Sequence, residues 1–268
     1  MKYFGLVAYC GTRYSGWQIQ PNDLSVQQCL EEAATKIFRT QIGITGCGRT
    51  DTGVHSSCYI FHLECPEQAE LNRTIRSFNA LLPRDIHLWE LIPVHEDAHA
   101  RFDATRRTYR YYLTGFADPF RDDKLFFFRQ LHLCDFKLVS KAAEVIGGGE
   151  DFFAFSKSGS EVNHHRCRID EIMWYQLSPK VWVFEISANR FLRGMVRLIV
   201  GACLNVGLGK ITLEEIKDAV DNQNRLSMPW SVPGHGLYLA DIKYPYIPDK
   251  LSENSRFFEP FGPISKGI

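Results

Sequence analysis

The side chains best suited to chemistry lie in residues 46–55, where Gly46, Gly48 and Gly53 bracket Arg49 and Asp51. Glycine permits positive φ and close backbone approach, so the stretch reads as a tight, shaped loop. Arg49, two residues ahead of Asp51, can keep that carboxylate ionised and aimed. A carboxylate held in this way can act as nucleophile or general base. The same pair could instead be a structural clamp on a turn, and taken alone that is its more usual meaning. Beside Arg49, Cys47 could be a reactive thiol, but the sequence identifies no histidine to activate it, so it reads as a filler residue. The run His164-His165-Arg166-Cys167 fits no zinc-ligand spacing and reads as a polar loop.

The loop must be presented by a scaffold. Ile42 and Ile44 alternate before it and the β-prone Cys58–Leu63 run follows, so it hangs between two strands. Upstream, Tyr3–Tyr9 reads as a first strand, followed by a glycine-bounded loop, Gly11–Gln18, carrying Tyr14 and Trp17. Ser25-Val26-Gln27-Gln28 is a capping-box signature for a helix continued by Leu30, Ala33, Ala34 and Ile37. A second helix is expected over Leu71–Ala80, and a short strand over Asp85–Leu91. In the following half, strands are expected at Thr108–Leu113, Ile169–Leu177 and Val181–Ser187, the last two joined through the Ser178-Pro179-Lys180 turn. Helices are expected over Phe136–Ile146 and Phe191–Val206, with another capped by Thr212. A final strand is expected around His235–Ala240. Strand, helix, strand, helix, strand thus occurs twice, on either side of about residue 105. The pattern predicts an α+β protein with two similar α/β halves, 1–105 and 106–245, meeting at a central cleft, and a tail over 246–268.

Composition narrows the class. The chain has 268 residues, 45% hydrophobic and 23% charged, with 31 basic and 31 acidic residues balancing to zero net charge. These values suit a globular protein. Val196–Val206, the longest apolar stretch, is interrupted by Arg197 and Asn205, so no membrane span is expected. With no secretory leader and eight cysteines outside any CxxC pair, reduced thiols in the cytoplasm are expected.

Neutral overall, the chain is locally basic. Arg101, Arg106, Arg107 and Arg110 are opposed only by Asp103, and no acid occurs from Ile186 to Leu213. Such patches can bind phosphates. Arg190, Arg193 and Arg197 fall at i, i+3 and i+7, which places them on one face of the expected helix. That face is either a solvated stripe or an anion site, and the missing acids favour the anion. Tyr109, Tyr111 and Tyr112 alternate with Arg107 and Arg110. They suit base stacking with phosphate contact, or equally a strand with an aromatic core face.

Taken together, these blocks resemble a known family. Gly48-Arg49-Thr50-Asp51-Thr52-Gly53-Val54-His55 is similar to the GRTDxGVH signature of TruA-type tRNA pseudouridine synthases. Tyr9-Cys10-Gly11-Thr12 with Gly16–Pro21 is similar to the family's YDGTxYxGWQxQP, with Cys10 where the family has an aspartate. Asn79–Pro83 with Asp85-Ile86, Ala100-Arg101-Phe102 with Tyr109-Arg110-Tyr111, Ala188-Asn189 with Phe191-Leu192 and Met195-Val196-Arg197, and Pro233 with His235–Leu239 match in family order.

The resemblance implies the pseudouridine synthase fold, with mainly antiparallel sheets and a catalytic cleft. It implies that Asp51 is the catalytic nucleophile, that Arg49 pairs with it and helps displace the target base, and that Tyr109 packs against the uracil. It implies that Arg197 lies near the catalytic aspartate and that Leu237 is an apolar wall of the pocket; Arg190 and Arg193 of the basic stripe, where Arg193-Gly194 departs from the family, and Phe102 complete the candidate substrate-binding residues. The implied activity is isomerisation of uridine to pseudouridine in the tRNA anticodon stem-loop, by a homodimer bridged by tRNA, with no cofactor and no metal. The carboxylate can add to C6 of the uracil or act at the ribose, and both routes remain open. Two other classes fit parts of the chain. A pure RNA-binding module would use the same basic patches, but a carboxylate facing phosphate only weakens it. A hydrolase needs a second acid near Asp51, and the stretch His99–Asp103 offers only Asp103 for that role.

Overall fold

A computed structural model describes residues 1–66, 70–157, 163–247 and 261. Most of the expected tail over 246–268 therefore lies outside the described residues. The chain divides into two compact units, one of Met1–Thr105 with the described residues from Tyr238 onward, the other of Arg106–Leu237.

The first unit runs β1 (Lys2–Tyr9), α1 (Val26–Phe38), β2 (Ile44–Gly46), β3 (His55–Glu64), α2 (Leu71–Leu81) and β4 (Ile86–Val94). Ser25 caps α1 by accepting from Gln28 N, the bond that the capping-box residues predict. β1 is the spine, pairing antiparallel with β3 on one side and with β4 on the other. β2 pairs antiparallel with β3, so the loop carrying Asp51 connects two hydrogen-bonded neighbours. The strand β9 (Leu237–Lys243) joins β3 in parallel, Tyr238 opposite His55 and Leu239 opposite Ser56. Phe4, Leu6, Phe61 and Leu63 are buried on the sheet, and Leu30, Ala34 and Phe78 on the helices.

The second unit runs β5 (Arg106–Thr114), β6 (Phe126–Phe127), α3 (Phe136–Gly147), β7 (Ile169–Ser178), β8 (Val181–Ala188), α4 (Met195–Gly207) and α5 (Leu213–Asp221). β8 is central and pairs antiparallel with β5 and β7, while β6 adds in parallel to β5. α3 packs on β7, α4 and α5. The result is a mixed α/β protein with mainly antiparallel pairing. No helix among the described residues is long and apolar enough to cross a membrane.

One helix differs from its expected form. α4 begins at Met195, not Phe191, because Gly194 precedes it in the left-handed region at φ +70°, where the chain turns into the helix. Arg190 and Arg193 thus lie in the approach loop, and the expected i, i+3, i+7 face does not exist. Every residue of α4 except Arg197 is buried. Apart from Arg197 and Asn205 the helix is apolar, so hydrophobic periodicity does not mark where it starts.

Candidate active site

The Asp51 loop is held from several directions within the first unit. Cys47 N donates to Ile60 O (2.9 Å), and the Tyr59 hydroxyl donates to Gly48 O. Thr50 Oγ1 bonds the Tyr9 hydroxyl at 3.1 Å. Val54 N closes a turn on Asp51 O (3.2 Å), with Gly53 at φ +75°. Asp51 itself is half-buried and Arg49 exposed.

The first loop supports it from outside. Gly11 N donates to Nδ1 of the buried His55 (3.0 Å), and Gly53 N donates to Tyr14 O (3.3 Å). The His55 ring stacks on Tyr238 with centroids 4.5 Å apart. Two glycines allow this approach. A Cβ on Gly11 would stand 2.0 Å from Val54 O, and one on Gly16 would stand 2.1 Å from Thr50 O. Trp17 stacks on Tyr59 at 3.9 Å and fills the space beneath. Asp85 anchors the first loop in turn, accepting from Arg13 Nε (2.7 Å) and the Tyr14 hydroxyl (2.6 Å). Burial pushes the Asp85 carboxyl up, but the Arg13 and Tyr14 hydrogen bonds and the Arg13 charge outweigh it and hold it below its ordinary value. Cys10 N donates to Asp85 O (2.9 Å), and its Sγ lies 3.3 Å from Thr12 Oγ1. Asp85 and Tyr14 are supporting residues that reading the sequence for reactive groups passes over. The signal for them was the pairing of a Gly-rich aromatic loop with a distant Asp-Ile block.

Asp103, weighed as a second acid, is committed elsewhere. Its Oδ2 accepts from His99 N (2.7 Å) and from the Tyr246 hydroxyl (2.5 Å). These two bonds hold its pKa below the ordinary value.

In the second unit, Tyr109 lies on β5, half-buried, with its ring edge-on to Phe191 at 5.0 Å. Tyr111, two residues on, is buried, and its hydroxyl donates to Pro233 O (2.9 Å). The intervening Arg110 is spent on an internal ion pair. Its Nε meets Oε2 of Glu185 at 2.5 Å, and the Tyr175 hydroxyl meets the same oxygen at 3.4 Å. Arg106 pairs with Glu171 (3.0 Å), and Arg107 donates to Asn189 O (2.9 Å). The tyrosine–arginine alternation of β5 is therefore a strand with internal partners, not a phosphate-binding ladder.

Arg197, the one charge on α4, donates from Nε to Val232 O at 2.6 Å. One and two turns later, a Cβ on Gly201 would be 1.9 Å from Trp230 O, and Asn205 Nδ2 donates to Met228 O (3.0 Å). Positions 197, 201 and 205 share a helix face, and on it they strap the 228–233 segment. Gly236 closes onto the Tyr111 ring, where a Cβ would be 2.6 Å from Cζ. Leu237, buried, then opens β9. Of the arginines before α4, Arg190 meets His164 Nε2 at 3.4 Å, and Arg193, exposed, accepts through its carbonyl from Lys157 N (3.2 Å).

A loop with one carboxylate, braced by hydrogen bonds within its own unit, can perform nucleophilic or acid–base chemistry. Comparisons with known proteins give that arrangement a context. A family model described as "tRNA pseudouridine synthase" matches residues 142–245. A protein of Porphyromonas gingivalis named "tRNA pseudouridine synthase A" is 45% identical over 91% of this chain and 97% of its own length. Its namesake in Parabacteroides distasonis is 42% identical over 91% of this chain and 96% of its own. That of Chlamydia muridarum is 36% identical over 89% and 90%, respectively.

Proposed function

Because the chain belongs to the tRNA pseudouridine synthase A family, we propose that it isomerises uridine in the anticodon stem-loop of tRNA, with Asp51 as nucleophile. The observation that carries this reading is the bracing of the Asp51 loop from both sides, by β3 and by the 11–16 loop. Such a loop meets the reaction without further reorganisation.

The reaction balances without an external reagent. The bond from N1 of the uracil to C1′ breaks and one from C5 to C1′ forms. C5 then loses a proton and N1 gains one. There is no net redox change and nothing is transferred to a second molecule, so the reading calls for no metal and no cofactor. Asp51 forms and releases a covalent bond to the nucleotide. Arg49 assists displacement of the target base from its stack, which costs about a few kcal/mol. Tyr109 packs on the uracil and can take part in the proton transfer at C5. Arg197 takes part in substrate binding, and Leu237 forms an apolar wall of the pocket. Phe102, Arg190 and Arg193 contact the RNA.

The working form is a cytoplasmic homodimer bridged by its tRNA. The test is the product formed from tRNA by the full chain and by Asp51→Asn and Asp51→Ala. Pseudouridine from the unsubstituted chain, and none from folded, tRNA-binding variants, is expected. Release of free uracil would indicate a hydrolase, and turnover near wild type in either variant would remove Asp51 from the role.

A further inference from the structure

The turn over residues 98–104 is built more rigidly than a surface connection needs. His99 Nδ1 accepts from Arg101 N (3.1 Å) and from Phe102 N (3.3 Å). Ala100 N donates to His62 Nδ1 (3.1 Å), and Ala100 O accepts from the buried Tyr244 hydroxyl (2.5 Å). Asp103 closes the turn through His99 N and Tyr246, as described above. Ordering so many groups costs conformational entropy, and their packing leaves one large apolar side chain outside. Phe102 is 73% exposed. Its ring is backed by His99, with centroids 4.2 Å apart, and the Arg101 guanidinium lies 5.7 Å from its centre. An exposed aromatic ring, fixed in orientation and flanked by a cation, is a platform for a flat partner.

Arg101 also belongs to a concavity on the same unit. It lines a space of about 120 Å³ together with Arg49, Trp17, Gln18, Gln27 and residues of β2 and the loop after it. Gly46 lets the Tyr59 and Trp17 side chains pack against the strand here, since a Cβ there would sit 2.1 Å from the Tyr59 hydroxyl and 2.5 Å from Trp17 Nε1. The space is well below the roughly 300–1,000 Å³ that encloses a small molecule, so it suits a single anionic group. Two arginines lining one small concavity suit a phosphate.

The geometry points to a two-part RNA subsite: one backbone phosphodiester seated between Arg49 and Arg101, and the neighbouring base stacked on Phe102. It rests on the RNA-modifying reading above and deepens it, by fixing where the strand beside the target nucleotide lies on the first unit. Arg101 and Phe102 bind substrate, whereas His99 and His62 are positioning residues acting through the turn.

The experiment uses the full chain and a tRNA transcript. Binding is measured across a salt series for Arg101→Gln, Phe102→Ala and Phe102→Tyr, alongside ethylation interference on the RNA. Arg101→Gln should lower the slope of log affinity against log salt by about 1. One phosphate whose ethylation weakens binding to the unsubstituted chain should have no effect on Arg101→Gln. Phe102→Ala should weaken binding about 5- to 150-fold, and Phe102→Tyr, which keeps the ring, should restore it. Phe102 is exposed, so loss of folding does not confuse this pair. Unchanged slope and affinity in the Arg101 and Phe102→Ala variants, while pseudouridine still forms, overturns the subsite and leaves the proposed function standing. If the unsubstituted chain forms no pseudouridine, the proposed function fails. The subsite then stands or falls on the salt slope and interference pattern alone.

Discussion

Gly16→Ala tests whether the 11–16 loop seats the catalytic loop. Gly16 sits at φ +87°, where an L side chain costs about 1–2 kcal/mol. Its new Cβ would also stand 2.1 Å from Thr50 O, and real Cβ atoms essentially never approach closer than 3.0 Å. The obstruction is backbone, so no side chain can swing aside. Either the first loop lifts or Thr50 retreats by about 0.9 Å, and Thr50 is bonded directly to Asp51. A misplacement near 1 Å costs about 10²-fold in rate. The variant should therefore lose more than the ~1–2 kcal/mol of the backbone cost in urea unfolding and roughly 10²-fold in single-turnover pseudouridine formation, with tRNA affinity little changed. Gly43→Ala is the control, because a Cβ there meets nothing within 4 Å and φ is not positive. It should be neutral or slightly stabilising. A Gly16→Ala enzyme with wild-type single-turnover rate, or a Gly43→Ala enzyme slowed as much, would refute the argument that the first loop sets Asp51.

Further outcomes are expected. Tyr109→Phe keeps the ring and removes the hydroxyl, so it should bind tRNA normally but turn over about 10²–10⁴-fold more slowly if the hydroxyl moves a proton; Tyr109→Ala should also lose about 1–3 kcal/mol of stacking, and near-normal turnover by the Phe variant would leave stacking alone. Glu185→Ala should cost about 3–5 kcal/mol in urea unfolding, because it strands the Arg110 charge inside the β5–β8 pair; a loss under ~1 kcal/mol would place that pair among surface ion pairs. Burial, reinforced by the charges of His99 and Lys2 against those of Glu64 and Asp103, pushes the His62 imidazole down to about 4. The unfolded chain binds that proton near 6.5, so His62's contribution is fully present above 6.5 and is lost as pH falls toward 4. His62→Gln should flatten that limb of the stability–pH curve, and an unchanged limb would contradict the assignment.

Local rules carried much of the reading from sequence. Ser25 and Thr212 cap their helices through the bonds their spacing predicts, since a cap needs only three residues of chain. The Arg49–Asp51 loop lies between two strands for a similarly local reason: alternating apolar residues flank a glycine-rich break. The family and its activity were legible because the motif blocks run along nearly the whole chain.

Partners distant in sequence were not legible. Arg110 stands among tyrosines in a pattern equally suited to RNA or to a core, and Glu185, 75 residues away, decides for the internal pair. Arg190 and Arg193 fit a helical stripe by spacing, yet Gly194 takes a left-handed φ that helical periodicity does not register. Asp85 reads as the start of a strand until Arg13 and Tyr14, over 70 residues earlier, meet its carboxylate. Residue type and spacing state what a side chain can do; which partner it meets depends on strand register and on the close approaches that Gly11, Gly16 and Gly201 permit, and those exist only once the chain has packed.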